Sequence, residues 1–82
     1  MKPETKDGLL RYAKEGIPTG GFLRAVLEND LMEAFARADR QNTDDMEEIV
    51  SFVYNDLPSA CHGSPEIVKK WLERFVPTEA KS

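Results

Sequence analysis

Apolar residues recur along this chain at intervals of three and four, the period of a helix face. No stretch alternates apolar and polar residues for long enough to predict a strand. The first helix is predicted to begin near Thr5 as its N-cap and to carry Leu9, Leu10, Tyr12 and Ala13. Gly16 is the expected stop, because glycine accepts the left-handed conformation at little steric cost. Ile17 should then fold back onto Tyr12, and Pro18 blocks continuation. A second helix, capped by Thr19, is predicted from Gly20 to about Glu28, burying Phe22, Leu23, Val26 and Leu27. Asn29-Asp30 interrupts it, and Asp30 with Glu33 three residues on resembles a capping box. Leu31, Ala34, Phe35 and Ala38 form the apolar stripe of a third helix. The pattern fits either two helices or one rod kinked at Asn29.

Asp39-Arg40-Gln41-Asn42 reads as a polar connection, with Thr43 capping the fourth helix. Asp44, Asp45 and Glu47 place negative charge in its first turns, where the helix dipole favours it. Met46, Ile49, Val50, Val53 and Leu57 give its core face; Phe52 and Tyr54 lie off the centre of that face, and Pro58 ends it. A short loop, Ser59 to Gly63, leads to Ser64-Pro65-Glu66, which reads as cap, first-turn proline and first-turn acid. The last helix carries Ile67, Val68, Trp71, Leu72 and Phe75 and ends by Pro77. The expected fold is all-α: a compact single-domain bundle of four to five short helices over residues 1–82, with its core from about 5 to 76 and a frayed tail over 77–82. A domain of this size buries only ~60 % of its unfolded surface. Isolated helices shorter than ~12–15 residues are marginal in water, so packing must hold these, and association with a partner or a second copy would help.

Composition supports a folded chain: of 82 residues, 40 % are hydrophobic and 32 % charged, unlike a disordered or collagen-like sequence. The net charge of −4 argues against non-specific duplex binding. The charge is lopsided. Residues 28–56 hold nine acidic and two basic side chains, a net of −7, against +2 for residues 1–27 and +1 for residues 57–82. Asp44, Asp45, Glu47 and Glu48, with Phe52 and Tyr54, are therefore a candidate interaction surface for a basic partner. The helix dipole is a sufficient local cause for the acids. No apolar run approaches the ~18–20 residues of a membrane span, and the first residues lack the hydrophobic stretch of a secretory signal. A single cysteine excludes an intrachain disulfide, so a reducing compartment, the cytoplasm, is expected, with no membrane partner.

Few residues invite chemistry. Cys61-His62 pairs a thiol with the one histidine, but sequence neighbours usually point apart and no third orienting group presents itself; a packed cysteine is the plainer reading. The acidic stretch from Asp39 to Glu48 lacks the central glycine of a calcium loop, and Val50 stands where the closing glutamate belongs. Gly20-Gly21 at a helix start could hold an anion on bare N–H groups, but without a phosphate-loop Lys or Ser/Thr, close packing explains it better. Phe22 to Asn29 is too apolar for a recognition helix. Lys69, Lys70, Arg74 and Lys81 form a basic set near the C-terminus, the basis of an alternative reading as a nucleic-acid-linked regulator. No catalytic residue, metal or cofactor is expected. Gly16, Pro18, Gly20, Gly21, Asn29 and Asp30 are read as structural turn residues.

The run Gly16-Ile17-Pro18-Thr19-Gly20-Gly21-Phe22-Leu23-Arg24-Ala25-Val26-Leu27-Glu28-Asn29-Asp30-Leu31 is distinctive. So are Arg37-Ala38-Asp39 and Tyr54-Asn55-Asp56-Leu57-Pro58-Ser59-Ala60-Cys61 with Gly63-Ser64-Pro65. Together they resemble a group of small proteins encoded in phages, prophages and other bacterial mobile elements, over about Leu9 to Phe75. The resemblance implies a setting and no mechanism, and it favours action by binding, with a host or phage protein as partner. His62 departs from the group's pattern, which has tryptophan there, and this implies a position for a broad, partly buried ring.

Overall fold

The computed structural model describes residues 1–75, and every element in it is helical. Six α-helices follow in order: α1 (Pro3–Glu15), α2 (Gly21–Leu27), α3 (Leu31–Arg37), α4 (Arg40–Asp44), α5 (Met46–Asp56) and α6 (Pro65–Glu73), with one 3-10 turn, Ser59–Cys61, before α6. The all-α class is as expected, with one helix more than the pattern predicted. The expected tail, residues 77–82, lies outside the described residues; the last helix already stops at Glu73, leaving Phe75 beyond its end.

Several boundaries differ from the sequence reading, each for a local reason. The first helix starts at Pro3 with Lys2 as N-cap, not at Thr5. Proline suits the first helical position, where its missing N–H is no loss. Thr19 is not a cap either; Gly20 occupies that position with no side-chain cap. The segment from Asp39 is a helical turn, not a loop. Asp39 caps α4, its carboxylate accepting from the Asn42 N–H at 2.8 Å, while the Thr43 hydroxyl donates to the Asp39 carbonyl at 2.9 Å. Thr43 therefore lies inside α4. Asp44 ends that helix, and Asp45 joins it to α5, leaving Glu47 and Glu48 in the first turn of α5. Ser64 caps α6 as predicted, accepting from the Ile67 N–H at 3.2 Å.

The Asn29 corner resolves into two helices. Asn29 adopts φ 61°, and its N–H donates to the Val26 carbonyl at 3.1 Å while the Asp30 N–H donates to the Ala25 carbonyl at 2.8 Å. This pair of bonds is the Schellman arrangement, with asparagine in the left-handed position that glycine usually takes. Asp30 then caps α3 through the Glu33 N–H at 3.2 Å. Glu33 does not complete the capping box; its carboxylate takes the Arg37 guanidinium at 2.6 Å.

The core contains Leu9, Tyr12 and Ala13 of α1; Ala25, Val26 and Leu27 of α2; Met46, Ile49 and Val53 of α5; and Val68 and Trp71 of α6, with Leu57 and Cys61 between the last two helices. Phe22, Leu23, Leu10 and Val50 only pack against its margin. Ile17 is exposed, and Phe75 occupies the space beside Gly16. Tyr12 donates its hydroxyl to the Cys61 carbonyl at 2.7 Å, and the Trp71 indole N–H donates to the Tyr12 carbonyl at 3.0 Å. The Gly63 N–H closes the far side on the Leu27 carbonyl at 2.7 Å.

Gly16 has φ 68°, and a Cβ there would meet the Phe75 ring. Gly20 faces open space, so the expected close packing at Gly20 does not exist; Gly21 is the crowded one, a Cβ there lying 2.8 Å from an Arg37 guanidinium nitrogen. Thermal melts should separate these sites. Gly16→Ala is expected to destabilise by at least ~1–2 kcal/mol, the cost of a left-handed alanine. Gly20→Ser should be neutral or stabilising by ~0.3 kcal/mol through a new cap. Equal melts for the two variants would contradict this account.

Candidate functional site

The acidic residues singled out from sequence divide into two sets. Asp45 and Glu48 are engaged with the Met1 ammonium, the former at 3.7 Å. Asp44 and Glu47 are exposed and, among the described residues, form no ion pair. Phe52 is half-buried, with the Lys6 ammonium 5.8 Å from its ring centre. An open groove of about 450 Å³ lies there, bordered by Lys6, Glu48, Phe52, Asn55 and Asp56. Tyr54 stands elsewhere on α5. It is exposed, its hydroxyl donates to the Asn29 side-chain oxygen at 3.2 Å, and its ring meets His62 edge-on at 5.1 Å. The two aromatics thus serve different neighbourhoods.

Cys61 and His62 are both buried. Burial pushes the Cys61 thiol up to about 11, so it stays protonated at neutral pH, the reverse of an activated thiolate. Burial likewise pushes the Tyr12 hydroxyl up, in keeping with its role as a hydrogen-bond donor. Burial pushes His62 below the usual histidine value, against a weaker opposing hydrogen bond to the Leu57 backbone, and its Nε2 has no partner. Among the described residues, no group of three or more His, Cys, Asp or Glu side chains is arranged to hold a metal ion.

The α3 helix holds what the sequence reading missed. Of the predicted stripe Leu31, Ala34, Phe35 and Ala38, only Ala34 is buried. At ~100° per residue, Leu31, Phe35 and Met32 lie about 60°, 100° and 160° around the helix from Ala34. Their exposures rise in that order, 44 %, 50 % and 88 %. Ala34 is wholly enclosed, and the larger side chains stand outside it. The opposite flank is charged. Glu33–Arg37 and Arg24–Glu28, paired at 2.6 and 2.9 Å, line a smaller groove of about 200 Å³ with Gly21 between α2 and α3. The signal in the sequence was Met32, an apolar residue outside the stripe on a helix too short to need it.

Lys69 and Lys70 of α6 and its C-cap Arg74 are exposed, and the Arg74 guanidinium lies 4.5 Å from the centre of the Trp71 ring. Lys81, the remaining member of that basic set, lies outside the described residues.

The buried imidazole makes a pH dependence. His62 binds its proton less well folded than unfolded, where its value is near 6.5. The unfolded chain therefore takes up the proton first as pH falls. Stability from this group is complete above 6.5 and declines as pH drops below it, down to the folded value. Denaturant unfolding at stepped pH should show this decline in the wild type and a smaller one in His62→Phe; parallel curves would contradict it.

Comparison with known proteins finds no matching family model, no matching curated protein and no matching solved structure.

Proposed function

We propose that this chain is a small non-enzymatic helical protein that acts by contact with another protein, in the cytoplasm, as an accessory factor of a phage or other bacterial mobile element. The observation that carries the reading is the exposed flank of Leu31, Met32 and Phe35 on α3, apolar surface held in water with no stabilising return in the free chain. The setting rests on the resemblance of the Gly16–Leu31 and Tyr54–Cys61 runs to proteins of such elements. Contact is favoured over covalent chemistry because the one thiol is fully buried and held protonated. In repeated co-purifications from bacterial lysate, a tagged chain should retain the same specific protein. Repeated failure to retain any would count against the reading.

A second reading draws on α6. The Arg74 guanidinium over the Trp71 ring, beside exposed Lys69 and Lys70, combines positive charge with an aromatic plane, the pairing that nucleic-acid binders use. A gel-shift series at low salt is its test. A shift that Lys69→Glu with Lys70→Glu abolishes would favour it, and no shift at micromolar protein would remove it.

A further inference from the structure

We propose that Met32 is a site of reversible oxidation, at which a peroxide turns the thioether into a sulfoxide and the α3 flank from apolar to polar while the fold stays intact. The inference needs no partner and stands apart from the interaction reading above. The chain holds four sulfur atoms, in Met1, Met32, Met46 and Cys61, all among the described residues. Packing withdraws three of them. Cys61 is fully enclosed, Met46 is 7 % exposed, and the Met1 side chain keeps only 6 % of its surface. Met32 is 88 % exposed, on the side of α3 away from buried Ala34. Oxidation of sulfur follows access, and for a cysteine it also follows thiolate character. The Cys61 thiol fails on both counts, being buried and held protonated. An oxidant that meets the folded chain therefore reaches a thioether before it reaches the thiol.

The step balances with the peroxide as sole oxidant. A lone pair of the Met32 sulfur attacks one peroxide oxygen, the O–O bond breaks, an S–O bond forms and the second oxygen leaves as water. Sulfur gives up two electrons and the peroxide takes them. Two thiols reverse the step: they are oxidised to a disulfide and the oxygen departs as water, the chemistry of the methionine sulfoxide reductases. A sulfoxide is polar, and inside a core it disrupts packing. At Met32 there is no core to disrupt. The change falls on the surface, where Leu31 and Phe35 of the same helix are also exposed.

Hydrogen peroxide added to the folded chain, followed by peptide mass spectrometry at timed intervals, tests the assignment. Met32 should take up one oxygen at least about tenfold faster than Met1, Met46 or Cys61, and in denaturant the three methionines should react at similar rates. The singly oxidised chain should keep the circular-dichroism melt of the untreated one and elute earlier in hydrophobic-interaction chromatography. Treatment with the two epimer-specific methionine sulfoxide reductases and a dithiol should restore the original elution. In Met32→Leu, which keeps the flank apolar, the early oxygen uptake and the elution shift should both be lost. Comparable rates at Met1, Met46 or Cys61 in the folded chain overturn the proposal. So does a melt lowered by oxidation at Met32, an elution that this oxidation leaves unchanged, or a sulfoxide that the reductases do not remove.

Discussion

Tyr12 holds the molecule together. Its ring is almost wholly enclosed, its hydroxyl donates to the Cys61 carbonyl, and its own carbonyl accepts both the Trp71 indole N–H and the Gly16 N–H. One residue of α1 therefore fastens the 3-10 turn, α6 and the end of its own helix. A chain this short has little core to spend on error, and buried polar groups are tolerated only when paired. The left-handed Gly16 belongs to the same arrangement: it turns the chain away while leaving room for Phe75. Burial of the hydroxyl and of the Cys61 thiol follows from this closure, which is why both are held protonated.

The second constraint is the Asn29 corner. Asparagine in the left-handed region ends α2, Asp30 restarts the chain as α3, and Tyr54 braces the corner from α5. On α3 only Ala34 is buried, and the larger apolar side chains Leu31, Met32 and Phe35 stand outward. The outward flank of α3 thus goes with a helix whose one buried side chain is an alanine.

Much of this was legible along the chain. The helical period, the Gly16 stop, the Asp30 and Ser64 caps and the Leu9, Ile49, Val53 and Val68 core positions follow from local rules, since caps, left-handed turns and face periodicity depend on a few neighbouring residues. The α4 turn was missed because its residues are polar on every side and leave no periodic trace; Asp39 as cap was its only mark. The exposure of Leu31 and Phe35 escaped the pattern for a related reason: a stripe of Leu31, Ala34 and Phe35 predicts that one side is buried but not how far the burial extends around the helix.

The sequence alone therefore determined that the chain is helical, where α1 ends and where α3 and α6 begin, and that its middle is acidic, all consequences of interactions within a few residues. Tertiary structure alone decided that Tyr12 joins three elements, that Gly21 and not Gly20 is crowded, and that Leu31, Met32 and Phe35 face outward. Each of these depends on the distance and angle between segments far apart in the chain, which arise only when the helices pack together.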